Sequence, residues 1–395
     1  MPRFEFGVLH GAWTRTNCLQ AYTVRILLMR RSAILLLAAL LSATADAAQL
    51  VTVDQIEQVL AASRGESDAK LAEQVSSLEP TERIDTPTLV RWQAAAPGDR
   101  TRKALLLLAD CSVFLPLPAS RIVDQPAPDA ATLQQMIART IGYLGKTLHN
   151  LPNFMAVRDT TQFEDSPMRE KLEGFAGAHL QMHSGDSVQL VVGKPWFLPL
   201  YLSGRRVMQV TYRNGHEVQV NLSKKDVDAG LRSRGEFGPI LAVVIGDAFR
   251  QTLSWDRWVK SDTNPVATLH YAVPAEASHY VVEYPSGNGV NRVVPAYHGE
   301  IAIDPATGAV VRLTLIADMP PGFQHVQSAE EVEYGPVVLG DRTYLCPLRS
   351  VTLAREPLAG EAETNTPMLR TFINDVSFKK YQLFRAEVHI VGSDQ

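Results

Sequence analysis

From Phe154 almost to its end, the chain alternates apolar and polar residues with a period of two. That rhythm restricts the fold more than any other feature, because only an extended strand sends successive side chains to opposite faces. It is densest from Val266 to Ala317, in the runs VATLHYAV, HYVVEY and YHGEIAIDPATGAVVRLTLIA. These make four short segments separated by Pro- and Gly-bearing breaks, and they predict an antiparallel meander in the middle of one large sheet. The 24 Pro and 25 Gly suit a chain with many turns. The runs amount to roughly ten to twelve strands, more than an open twisted sheet usually holds without curling. A curved sheet is therefore expected.

Local turn chemistry supports this reading. In RVMQVTYRNGHEVQVNL, Asn214-Gly215 joins two alternating runs, as a type I′ hairpin requires. The alternation predicts one buried face from Met208, Val210 and Tyr212 with Val218, Val220 and Leu222. It leaves Gln209, Arg213, Glu217 and Gln219 wet. Asp304 to Gly308 and Gly340-Asp341 read as further turns. FGPILAVVIGDAFRQT breaks the rhythm: Pro239 can open a helix, and Ile240 to Ile245 is apolar on every side. Such a helix would plug the curved sheet; a short buried strand is the rival reading.

Residues 52–149 read as helical instead. Asp54 can cap a helix that carries Ile56, Val59 and Leu60, and Ser67 opens a segment with Leu71, Val75 and Leu78. Pro87 suits the first turn of TLVRWQAAA, and Pro97-Gly98-Asp99 breaks the chain before RKALLLLADCSVFL. A Pro-rich connector runs from Pro116 to Pro128. Asp129 then caps a helix whose stripe is Leu133, Met136, Ile137, Ile141, Leu144 and Leu148. A stripe of this kind is core contact, and no cofactor is read from it.

Met29-Arg30-Arg31 followed by SAILLLAALLSATADA has the three-part form of a secretory signal, with Ala45-Asp46-Ala47 as a small-x-small cleavage site. Its apolar run is too short for a stable transmembrane anchor, which needs about 20 residues. Residues 1–28 then read as an extension before the true start at Met29. The division is 1–47 signal, 48–128 helical region and connector, and 129–395 linking helix and sheet domain. Residues 1–47 carry five arginines against Glu5 and Asp46, so their removal takes the formal charge from −4 to −7. With that charge and no basic run longer than two residues, nucleic acid and anionic lipid surfaces are poor partners. A periplasmic or secreted location follows from the signal.

An exported chain meets oxidising conditions, so Cys111 and Cys346 could be bridged and clamp the helical part to the sheet. Two separate buried thiols are the alternative, since spacing alone cannot supply disulfide geometry.

Catalytic constellations are weak. Gly185-Asp186-Ser187 resembles an esterase block, but a strand-like run follows it and the chain has no Asp-x-x-His. His179 and His183 stand four apart in an alternating stretch, which makes them a strand face rather than a helical metal site. Glu330-Glu331 are adjacent on a strand and must face opposite ways. Trp255, Trp258, Tyr271, Tyr280, Tyr284 and Tyr297 read as core aromatics. No catalytic residue, metal or cofactor is assigned.

The segment Gly299 to Val310 has the form G-x-x-x-I-D-P-x-T-G-x-V. With a signal peptide and a helix plugging a strongly curved sheet, it resembles the bacterial outer-membrane lipoprotein-carrier superfamily. LPNF at Leu151 to Phe154 and NDVSFKKY at Asn374 to Tyr381 are similar to a set of secreted bacterial proteins of unassigned role. The likeness covers roughly residues 150–385 and has no counterpart for the helical region. It implies an α+β fold in which a helical region precedes an open antiparallel half-barrel with a plugging helix. It also implies a concave apolar face that holds an acyl chain. The candidate face is Met208, Val210, Tyr212, Val218, Val220, Leu269, Tyr271, Tyr280, Val282, Val311 and Leu313. The expected partner is an apolar small molecule, a lipid or a lipidated protein. An envelope scaffold with a filled interior is the alternative, and a hydrolase ranks last. The oligomeric state is left open.

Overall fold

Helix-forming sequence gives way to strand-forming sequence at Leu151-Pro152, and the chain changes architecture there. The computed structural model describes residues 49–148, 151–165, 200–214, 216–219, 239–249, 252–261, 264–286, 289–323, 326–357 and 369–384. Gln49–Gln395 forms one compact unit.

Four helices come first: α1 (Val53–Ala62), α2 (Asp68–Ser76), α3 (Thr86–Ala95) and α4 (Asp99–Ser112). Short parallel strands β1 (Gln49–Val51) and β2 (Leu78–Pro80) tie the entry of the first to the exit of the second. Thr52 caps α1, not Asp54: its side chain accepts from the Gln55 amide while the Gln55 side chain accepts from the Thr52 amide. That reciprocal box satisfies two orphan donors, and it leaves Asp54 in the first turn. Ser67 caps α2 and Asp85 caps α3, with Pro87 in the first turn as expected. Ile56, Leu71, Val75, Leu89, Trp92, Leu105 and Leu108 make this region's own core.

After the connector, which contains β3 (Ile122–Val123), Asp129 caps α5 (Ala130–Leu148) by accepting from the Thr132 amide at 2.7 Å. The strands follow: β4 (Phe154–Glu164), β5 (Tyr201–Arg213) and β6 (His216–Gln219). The apolar run 239–249 is a helix, α6 (Pro239–Ala248), so the rival strand reading falls away. Then come β7 (Thr252–Val259), β8 (Val266–Val273), β9 (Val282–Ser286), β10 (Gly289–Val293), β11 (Ala296–Ile303), β12 (Val310–Asp318), β13 (Gln327–Leu339), β14 (Arg342–Pro357) and β15 (Leu369–Leu383).

Eleven of these strands form one antiparallel sheet in the order β3-β7-β8-β11-β12-β13-β14-β15-β4-β5-β6. It is curved and open, as an α+β half-barrel with a plugging helix should be. The meander differs from expectation at one point. β9 does not join the sheet; it pairs with β10 in a separate hairpin, and β8 pairs directly with β11.

One sheet face is apolar and carries α5 and α6. Met136 and Leu144 of α5, with Ile240, Leu241, Val244 and Ala248 of α6, pack on Leu269, Tyr271, Tyr297, Ile301, Leu313, Leu315 and Val332. Two glycines of the Gly299–Val310 segment are explained here. Tyr271 donates to the Thr314 carbonyl at 2.6 Å, and a Cβ on Gly299 would lie 2.0 Å from that oxygen. Gly308 has φ +81, and a Cβ there would meet the Arg139 backbone of α5 at 2.8 Å. The Asp304–Gly308 turn thus docks on α5, where Arg139 also donates to the Pro305 carbonyl. Both positions belong to turn and packing chemistry.

Candidate functional site

Alternation on the central strands sends the residues between these apolar ones to the opposite face. On β11, His298 and Glu300 alternate with Tyr297, Gly299 and Ile301; on β12, Arg312 and Thr314 alternate with Leu313 and Leu315. Arg257, Glu331, Glu333, Arg349 and Asp375 extend this second face across β7, β13, β14 and β15. It is covered: Arg349, Glu331 and Asp375 are all buried. The helical region lies on it.

Sheet arginines make the junction. Arg349 donates to Asp375 at 2.6 Å on the neighbouring strand and to Asp110 of α4 at 2.5 Å. It also reaches Thr86 of α3 at 3.2 Å, and Thr86 donates to Glu333 at 2.7 Å. Burial opposes the Arg349 charge, but Asp375 and Asp110 overcome it and hold the guanidinium above its usual range. Asp110 is pushed well up, first by burial and then by Asp375 across the same guanidinium. Such a network is costly to break, since removing one partner strands a buried charge.

A second cluster borders a cleft of about 130 Å³. Arg83 of the α2–α3 connection, Glu300, Arg312 and Thr314 line it, with His270 and His298, and with Phe114, Leu115 and Ile316. Glu300 receives Arg257, Arg312 at 3.1 Å and Arg83 at 3.7 Å. Against the pull of burial, Arg312, Arg83 and Arg257 hold its carboxyl below the usual range. All three guanidinium nitrogens of Arg312 are engaged: one donates to Glu331, one to Glu300, and one to the Val113 carbonyl at 3.1 Å. The rings of His270 and His298 lie 6.2 Å apart, and His298 Nδ1 sits 2.9 Å from Asp318.

A third polar group holds α6. Asp247 accepts from the His279 amide and from the Tyr297 hydroxyl, each at 2.9 Å, and lies 2.6 Å from His279 Nδ1. Its position ties the plugging helix to the loop before β9.

The candidate apolar residues fall into separate places. Leu269, Tyr271 and Leu313 lie under α5 and α6. Val210 and Tyr212, with half-buried Met208, join a cluster with Phe154, Val376 and Phe378. Val282 packs with Tyr284 and Val326. Tyr280 packs against the core under α6, and its hydroxyl lies 2.8 Å from Ser328. Val311 is half-buried on β12. Val218 is a correction: the hairpin pairs Arg213 with His216, so Tyr212 faces Glu217 and Val210 faces Gln219. A two-residue turn inverts the parity assumed from the strands read separately. Val218 therefore pairs with Thr211 on the other face and is exposed, while Glu217 turns inward to Arg158 at 3.5 Å. Val220, Leu222, His179, His183 and Gly185 to Ser187 lie outside the described residues.

Of the two readings of the cysteines, the bridge falls away. Cys111 and Cys346 are both free thiols. Cys111, on α4, packs with Val113, Phe163 and Leu353, while Cys346 pairs with Gly335 on β13. Burial raises both thiols, Cys346 to about 12. They are the small hydrophobes of the alternative reading. Among the described residues no group of His, Cys, Asp and Glu has the arrangement of a metal site, and no helix is long and apolar enough to cross a membrane.

The cleft was not singled out from sequence. Its signal was present: charged residues at alternate positions of strands whose other positions are strongly apolar, in the centre of a sheet rather than at its edge. No protein-family model, curated protein or solved structure matches this chain.

Proposed function

We propose that the chain is an exported interaction protein of the cell envelope, a half-barrel whose interior is filled by its own helices. The observation that carries this reading is the packing of Leu241, Val244, Met136 and Leu144 onto Leu269, Tyr271 and Leu313. An acyl chain seated there would have to displace those side chains, each worth about 1.5–3 kcal/mol of burial. The carrier-like reading, in which the face holds a lipid or lipidated partner, is the competitor. In the reading preferred here, recognition is left to the polar surfaces.

The test is native mass spectrometry, with lipid extraction, of protein purified from the periplasm. The expected result is a mature chain lacking the segment that ends at Ala47 and carrying no acyl compound. A stoichiometric acyl adduct would overturn the filled-interior reading and restore the carrier. Full-length protein retained in the cytoplasm would overturn export.

A further inference from the structure

The cleft beside Arg83 contains an arginine without an adequate anion. Arg83 is buried, with 9 % of its side chain exposed, and its nearest carboxylate oxygen is 3.7 Å away on Glu300. That distance is an ion pair but not a hydrogen bond. Glu300 cannot come closer without loosening its bonds to Arg257 and Arg312. Arg257 is balanced at 2.7 Å by Asp256, and Arg312 by Glu331. Arg83 alone of the three makes no side-chain hydrogen bond among the described residues; Arg257 leaves only its Nε without one.

The free donors of Arg83 open on the cleft, and an anion seated there would meet them with charge-assisted hydrogen bonds. Burial, and after it the charge of Arg312, lowers the Arg83 guanidinium to about 9, the direction expected of an arginine short of an anion. The walls suit such a guest. Arg83 and Arg312 stand at the floor, His270 and His298 at the rim, and the Thr314 hydroxyl is occupied only as acceptor of the Glu300 amide. Glu300 also lines the space, and its charge is covered by three guanidinium groups. At about 130 Å³ the cleft is well below the roughly 300–1,000 Å³ of a drug-sized pocket. It admits a compact headgroup, with Phe114 and Ile316 beside whatever the headgroup is attached to.

We propose that this cleft is a receptor for a phosphate group, either free or at the end of a larger molecule. Donors converge on it from the helical region on one side and from β8, β11 and β12 on the other. A tetrahedral anion can meet donors from several directions at once, whereas a carboxylate is best met by a single fork. The site also links the two layers of the fold, so its occupancy would strengthen their contact.

The test is calorimetric titration of the exported chain with inorganic phosphate in chloride buffer at constant ionic strength, using wild type, Arg83→Gln and His270→Asn. Saturable binding of one phosphate per chain is expected. It should weaken about tenfold or more in R83Q, the equivalent of one charge-assisted hydrogen bond, and about threefold in H270N. His270 is exposed, so H270N keeps the test open if R83Q does not fold. Vesicles containing phosphatidic acid, set against phosphatidylglycerol, separate the sources. Selective capture of phosphatidic acid by wild type and not by R83Q assigns a lipid headgroup, and binding of inorganic phosphate without vesicle binding assigns a soluble one. The proposal is overturned if phosphate shows no saturable binding, if wild type and both variants bind alike, or if acetate binds as tightly as phosphate.

Discussion

Replacing Glu79 with glutamine should stabilise the protein above neutral pH and do little below pH 5. Glu79 lies on β2 with 1 % of its surface exposed, and neither carboxylate oxygen has a hydrogen-bond partner among the described residues. Burial pushes its carboxyl from 4.5 up to about 7. The folded state therefore keeps a proton that the unfolded chain releases between those two values. Stability from this group is complete below about pH 4.5, falls as pH rises through about 7, and is level beyond. At 1.36 kcal/mol per pH unit, the loss between pH 5 and pH 8 is about 2.5 kcal/mol. Glutamine keeps the shape and removes the charge. Urea unfolding of both proteins at pH 5 and pH 8 isolates the effect, because the other carboxylates cancel in the double difference. E79Q should gain about 2.5 kcal/mol over wild type at pH 8 relative to pH 5. An E79Q effect identical at the two pH values, or a loss at pH 8, would refute the reasoning.

Arg349→Met should cost about 3–5 kcal/mol, because Asp110 and Asp375 are left buried without their guanidinium. Adding Asp110→Asn and Asp375→Asn should recover most of that loss, which urea midpoints of the single and triple variants will show. Gly308→Ala should cost more than Gly65→Ala in the same melts. Both glycines have positive φ, but only Gly308 faces backbone within 3 Å, so about 1 kcal/mol is expected at Gly65 and 2 kcal/mol or more at Gly308.

Individual residues show where sequence was a good guide. Ser67, Asp129 and Pro87 take their expected places at helix starts, because a cap is decided within four residues of the chain. Glu330 and Glu331 face opposite ways, and the turn at Asp304 to Gly308 forms as its residues require. The misreadings arise one level up. Alternation along each strand puts Val218 on the buried face, but the turn between the strands sets their relative parity. β9 alternates as well as β8 does, but nothing in its own pattern says that it pairs outside the sheet.

By itself, then, the sequence determined that this chain has helices followed by strands, where many of them begin and turn, and which positions are apolar on each. Those properties depend on side chains near one another along the chain. Only the tertiary structure decided that the polar face of the central strands is covered. Arg349 and Asp110 stand 239 residues apart, and Thr86 and Glu333 247. A charged residue at an alternate strand position looks the same in sequence whether water or a helix lies over it. What separates the two cases is the layer that folds onto the sheet: it sets Arg83 against Glu300 and Arg312 and makes walls of a cleft out of what would otherwise be surface charges.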